Sequence, residues 1–451
     1  MAERFVTLCE RFASHFHDTL VGVVRAEQYV SGLMQARKKN MERMAEVVPE
    51  ADDQQLQHFL ANTRWDERAV RDQVALEADK LLGSATDAAL VVDESGFTKK
   101  GVHSVGVNRQ WNGRLGKVDN CQVGVFVALA NGNLATLVDV KLFLPKSWVK
   151  DRERCSAAGV PRVARVAKTK PELALEMIRH NREQGVRFGW VLMDGLYGND
   201  PELLRSLDED GEVFVVDVHK NQRVYLQDPD PSVPATPAGQ RGRKRSKLVA
   251  GCRPVEVAAW VQAQPDEAWE PVTLRDSSKG ELRVEVLRRE VWLWDKKEPR
   301  AHCWQLIVRR EVECRSEVKY SISNAPESTD SLRLARMQAQ RYWIERSFQD
   351  GKSHAGLADY QVRGWTPWHR HMTLVMMAML FMLEEKVLNQ ADTPLLTCAD
   401  VEVLLASFLP RRDIDPDEVL RQLKVRHRKR QASIDQAYAR QRLASQRAPS
   451  T

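Results

Sequence analysis

The stretch Ala88-Ala-Leu-Val-Val-Asp-Glu-Ser-Gly-Phe-Thr-Lys-Lys-Gly101 decides how the rest of the chain is read. Its apolar run, Leu90 to Val92, stops at Asp93, and a glycine and two lysines follow. A run this short, rich in Val and closed by Gly, reads as a strand covered on both faces. Asp93 is then a charge at the rim of a core, and it needs a cation, a donor set or a metal to offset its desolvation. Taken alone, a solvated turn aspartate is the safer reading. The balance shifts because the pattern recurs and a third carboxylate follows.

Downstream, Cys121 to Ala130 and Ala135 to Phe143 alternate around Asn131-Gly132-Asn133, a strong hairpin signal. Lys170 to Glu183 reads as a helix with Pro171 in its first turn. Phe188 to Met193 is a second buried strand, and it too ends in a carboxylate, Asp194. A helix from Pro201 to Leu207 and a strand from Val213 to Val218 complete a β-β-β-α-β-α-β order. That order predicts an α/β fold: an RNase-H-like mixed sheet with flanking helices, interrupted by an inserted β-rich subdomain, with helical N- and C-terminal regions.

Five segments follow. Residues 1–85 form a helical region; within it, Gln54 to Ala75 suggests two short helices around a tight turn, with Arg64, Arg68 and Arg71 clustered there. Such a pair serves either packing or the reading of a DNA end. Residues 86–220 are the first part of the core, and 221–325 are the insertion, with a basic run containing Arg241, Arg243, Lys244 and Arg245. Residues 326–390 complete the core and hold Glu345, while 391–451 carry two short helices and a basic tail, read as a phosphate-binding arm in preference to a solvated helix end.

The chain has 451 residues and a formal charge of +6, so the distribution of charge matters more than its sum. Seven cysteines lack zinc spacing and fit reduced thiols in a cytoplasmic protein. The first residues lack the layout of a signal peptide, and the longest apolar run, Met372 to Leu383, is too short for a bilayer span of about 20 residues. No membrane role is expected.

Carboxylates at the ends of two adjacent strands, with Glu345 from a helix beside them, cannot all stay ionised without a cation. Oxygen-only ligands select Mg²⁺ or Mn²⁺, and two such ions per site, about 4 Å apart, suit phosphodiester displacement. Arg341, Glu345 and Lys352 are spaced by four and seven, on one helix face. That face is either a salt-bridge ladder or a pair of cations set for a phosphate backbone.

Val91-Val-Asp-Glu-Ser-Gly-Phe-Thr-Lys-Lys-Gly101, Val105-Gly-Val107, Asn120-Cys-Gln-Val-Gly-Val-Phe126, Leu144-Pro-Lys-Ser-Trp148, Thr169-Lys-Pro-Glu-Leu-Ala174 and Trp365-x-x-Trp-His-Arg-His371 together resemble the IS701 family of DDE transposases, from about residue 25 to about 410. The resemblance implies a bacterial cut-and-paste enzyme with Asp93, Asp194 and Glu345 as catalytic metal ligands. Related IS4-type enzymes carry a Tyr, Arg, Glu, Lys signature, which this chain matches at Arg341, Glu345 and Lys352. It departs at the first position, where Gln338 stands, with Tyr342 close by.

In IS4-type enzymes the inserted subdomain contacts the transposon end, and a tryptophan there can stack on a flipped base. Trp292, Trp294 and Trp304 are the candidates here, against the alternative that they are buried in a β-core. The expected partner is double-stranded DNA, as terminal inverted repeats and as target, bound by a homodimer at the nucleoid. Lys99, Lys100, Arg341, Lys352 and the Arg241–Arg245 run would meet phosphates. Competing readings are a catalytically silent DNA-binding protein of the same fold, an RNase-H-like structure-specific nuclease, and a structural scaffold.

Strand alternation turns Glu94 to the face opposite Asp93. Asp119, Asp139, Asp217 and Asp350 read as surface charges or caps. His354, His369 and His371 read as packing or phosphate contacts rather than zinc ligands.

Overall fold

The computed structural model describes residues 1–16, 19–235, 246–277 and 280–447. Five helices precede the first strand: α1 (Ala2–Arg11), α2 (Thr19–Gln35), α3 (Met41–Val47), α4 (Asp53–Ala61) and α5 (Glu67–Leu82). Asp52 and Asp66 cap α4 and α5 by accepting first-turn N–H groups. The apolar side of α5 (Val70, Val74, Ala78, Leu82) is buried against the sheet and the long helix Trp365–Leu388 described below.

Every residue from Ala88 to Val92 is buried, as the unbroken apolar run requires. The strand built on it, β1 (Ala89–Thr98), is central. β2 (Asn108–Asn112), β3 (Lys117–Asn131) and β4 (Leu134–Leu142) form an antiparallel meander, with Gly132 at φ +61° in the β3–β4 turn. Helix α6 (Lys170–Glu183) opens with a reciprocal capping box between Thr169 and Glu172. It leads into β5 (Trp190–Met193), and α7 (Pro201–Glu209) leads into β6 (Phe214–Asp217).

β1, β5 and β6 are mutually parallel, with Val92 opposite Met193 and Met193 opposite Val216. The next residue of each strand's run is an aspartate: Asp93, Asp194 and Asp217. Three carboxylates therefore stand in a row at one end of the sheet.

The insertion carries β7 (Glu270–Ser277), β8 (Gly280–Leu293), β9 (His302–Glu311) and β10 (Val318–Ser323). These strands do not build a sheet of their own. β10 pairs antiparallel with β6, Ile322 opposite Val216, so one ten-stranded sheet runs β2-β3-β1-β5-β6-β10-β9-β8-β7, with β4 on β3. The reason is that β6 would otherwise end the core as an open edge of unpaired backbone groups.

Helices α8 (Ser331–Gln340) and α9 (Tyr342–His354) return the chain to the core, and the buried α10 (Trp365–Leu388) lies across it. α11 (Cys398–Phe408) has both bonds of the Thr397/Asp400 capping box. The final helix is longer than its sequence suggests: α12 (Pro416–Arg447) has 32 residues. Its basic face begins docked, with Arg426 on Glu46 and Lys429 on Asp53.

Candidate active site

The row of aspartates opens into a cleft of about 910 Å³, lined by Asp93, Glu94, Asp194, Asp217, Arg341, Glu345 and Lys352 among others. The sequence alone brought Asp93, Asp194 and Glu345 together, and all three line this one cleft. Glu345 is in the first turn of α9, one helical turn after Arg341 at the α8–α9 junction.

Asp93 accepts its neighbour's N–H, from Glu94, at 2.7 Å, and Asp194 accepts the Leu196 N–H at 2.9 Å. These bonds fix both carboxylates at the strand ends. Burial first, then the adjacent Asp194 charge, pushes the Asp93 carboxyl up to about 8. Burial and Glu94 raise Asp194 as well. Like charges crowd here, and the cluster needs a cation.

One cation on this chain answers that need. The Arg341 guanidinium reaches Asp217 at 2.9 Å, Glu345 at 2.9 Å and Asp93 at 3.7 Å. Burial works to lower its pKa, but Asp217, Glu345, Asp93 and Asp194 outweigh that and raise it. Asp217 is held in turn: Ser321 Oγ donates to Asp217 Oδ1 at 2.7 Å, and Gln338 Nε2 donates to Ser321 Oγ at 2.7 Å. Ser321 and Gln338 are buried. Gln338, the departure from the IS4-type signature, thus faces inward and braces the carboxylate that grips Arg341.

Two residues that sequence reasoning set aside belong to this site. Asp217 ends the run Phe214-Val-Val-Asp217, the same apolar-then-Asp signal that singled out Asp93 and Asp194. Glu94 was expected to face away. It lines the cleft instead, bridged to Lys170 Nζ at 2.6 Å and accepting the Tyr197 hydroxyl at 3.1 Å. The pairing of β1 with β5 stops at Val92, so Asp93 and Glu94 lie just beyond the last paired residue of β5.

The oxygen-only donor set and its excess of negative charge fit a hard divalent ion. Among the described residues, no three His, Cys, Asp or Glu side chains already stand at ligating separation, and Arg341 supplies the counter-charge.

The remaining expected residues are scattered. Lys352 lines the cleft, near the rings of Phe97 and Phe348. Lys100 is exposed, but Lys99 folds inward over the Tyr360 ring at 3.4 Å, and burial lowers it to about 8. Arg241, Arg243, Lys244 and Arg245 lie outside the described residues. Trp304 is buried edge-on to Phe214, and the Trp294 indole donates to the Glu298 carbonyl. Neither these nor Trp292 lines the cleft.

Arg68 and Arg71 do not project outward from α5. Both pair with Asp139, which is fully buried on β4 and not a surface charge. Asp350 is also buried and pairs with Arg346. Asp119 meets Thr98, and His354 meets Glu402.

A family described as DDE superfamily endonuclease matches residues 12–281, more than half of the chain. The match contains Asp93, Asp194 and Asp217 and ends before Arg341 and Glu345. The chain is also 30% identical, over 219 residues, to a protein of Microchaete diplosiphon described as the probable transposase for insertion sequence element IS701. That alignment covers 48% of this chain and 54% of the relative, so the chain spans about half the length of the curated protein it matches.

Proposed function

Because the chain belongs to the DDE superfamily of endonucleases, we propose that it is a DNA transposase that binds terminal inverted repeats, cleaves the transposon ends and transfers 3′-hydroxyl ends to target DNA. The observation that carries this is the row of Asp93, Asp194 and Asp217 at the ends of three parallel strands, with Glu345 reaching the same cleft.

Asp93, Asp194 and Glu345 would hold Mg²⁺ or Mn²⁺, two ions per site. Such ions, when bound, activate a water or a 3′-hydroxyl and stabilise the leaving oxygen. The chain's own residues do the rest. The N–H groups of Glu94 and Leu196 aim the two aspartates, and Asp217 orients Arg341. Arg341 and Lys352, which line the cleft from one helical stretch, would meet a phosphate there.

Two ends must be joined in one reaction, which calls for a homodimer on DNA. No helix among the described residues is long and apolar enough to cross a membrane, in keeping with work at the bacterial nucleoid. The test is to incubate the protein with linear DNA bearing the sequences that flank its gene and with a supercoiled target. Covalent joining of the ends to the target supports transposition; nicking of branched or hybrid substrates alone would support the nuclease reading.

A catalytically silent relative is favoured by one observation, the Arg341 guanidinium standing among the carboxylates. Its mark would be binding to the ends with no joining in Mg²⁺ or Mn²⁺.

A further inference from the structure

Between Arg421 and Arg447, α12 carries nine Lys or Arg and one acid, Asp435, a surplus larger than the +6 of the whole chain. Its first turns are fixed to the body, where Arg426 pairs with Glu46 of α3 and Lys429 with Asp53 of α4. Beyond that anchor every side chain from Arg430 to Leu443 is exposed, while the backbone stays helical to Arg447. Among the described residues, Lys424, Arg428, Arg430, Arg440 and Arg442 make no ion pair. A rod of about 27 Å, rich in Ala, Gln and Arg, thus stands clear of the fold.

The placing of the charges identifies the partner. Successive residues turn by about 100°, so Lys424, Arg428 and Arg442 fall on one flank of the rod and Arg430 and Arg440 on the opposite flank. A helix in the major groove of DNA runs between two phosphate backbones and uses cations on both sides. Ile434 and Tyr438, 49% and 59% exposed, lie between the flanks, on a side that would face the groove floor. A second copy of the chain fits less well. Pairing of helices needs an apolar stripe at every third or fourth residue, and Arg430, Gln431 and Gln441 stand where Ile434 and Tyr438 would be continued.

We propose that the far half of α12 is a DNA-binding arm: it lies in the major groove of a duplex, with Arg428 and Arg442 on one backbone and Arg430 and Arg440 on the other. This rests on the transposase reading and adds a hold on DNA distinct from the carboxylate cleft. Phosphates carry no sequence information, so the arm steadies whichever duplex the cleft is working on.

The test uses the full chain without divalent ions and two duplexes, one of the DNA flanking the gene and one of unrelated sequence. Affinity is followed by fluorescence anisotropy from about 50 to about 200 mM salt. Arg428→Gln with Arg442→Gln should lower the salt dependence by about two counterions on both duplexes, and Arg430→Gln with Arg440→Gln should do the same. Glutamine is another good helix former at exposed positions, so the circular dichroism of these variants should match wild type. A change for one pair alone puts the helix along a single backbone and overturns the groove placement. A salt dependence unchanged by all four substitutions, or a loss on the gene-flanking duplex alone, overturns the arm as a grip on phosphates. So does wild type that sediments as a dimer without DNA and becomes monomeric on Ile434→Ser with Tyr438→Ser at unchanged salt dependence, which assigns the helix to a second copy. Wild type that binds neither duplex removes the transposase reading as well, so the two failures are told apart.

Discussion

Arg341 is the residue on which the site turns. Replacing it by Met leaves Asp93, Asp217 and Glu345 without their common counter-charge. The metal-free protein should then melt lower, and Mn²⁺ should bind about tenfold more tightly, because it no longer competes with a tethered cation. A Mn²⁺ titration followed by thermal melting checks both, and weaker Mn²⁺ binding would contradict the competition. Behind Arg341, Ser321→Ala removes the hydroxyl between Gln338 and Asp217 and strands a buried amide. Denaturant unfolding should show a loss of about 1–3 kcal/mol.

Between elements, buried charge makes the strongest joints. Asp139 on β4 carries Arg68 and the fully buried Arg71 of α5, so Asp139→Asn leaves a buried cation without its partner. Unfolding measurements should find a cost of about 3–5 kcal/mol. In α10, His369 donates through Nδ1 to the Trp365 carbonyl, while His371 donates through Nε2 to Gly356 and accepts the Tyr29 hydroxyl at Nδ1. Burial lowers both imidazoles to about 3. The unfolded chain therefore binds these protons more readily than the folded one. Their contribution is complete above about pH 6.5 and is lost as pH falls toward 3. Melting at pH 7.5 and pH 5 should show the drop, and His371→Gln should make it shallower. Most of the core elements were legible, because apolar runs, the Asn-Gly turn and the Thr397/Asp400 capping box are local signals. The burial of Arg71 and Asp139 was not: which charge a helix lays against which strand is set by packing between segments far apart in sequence.

Across the whole molecule, the strands up to β6 could be read from the chain except the edge strand β2, whose short, half-polar Asn108–Asn112 carries no apolar run, and Asp93, Asp194 and Glu345 could be read as residues of one cleft. Asp217 was readable by the same rule but was passed over, since its place depends on the parallel register of β6. The union of the insertion with the core sheet was hidden for a related reason: antiparallel pairing of β10 with β6 joins residues about a hundred apart. On DNA, mass measurement of the end complex should find two protomers, and one protomer would contradict the dimer. The central claim is that Asp93, Asp194 and Glu345 act together at the end of the sheet. The most direct measurement is excision from a plasmid bearing the DNA that flanks the gene, in Mg²⁺, for wild type, Asp93→Ala, Asp194→Ala and Glu345→Ala. The account predicts excision by wild type and none by any variant; activity retained by any one of the three would contradict it.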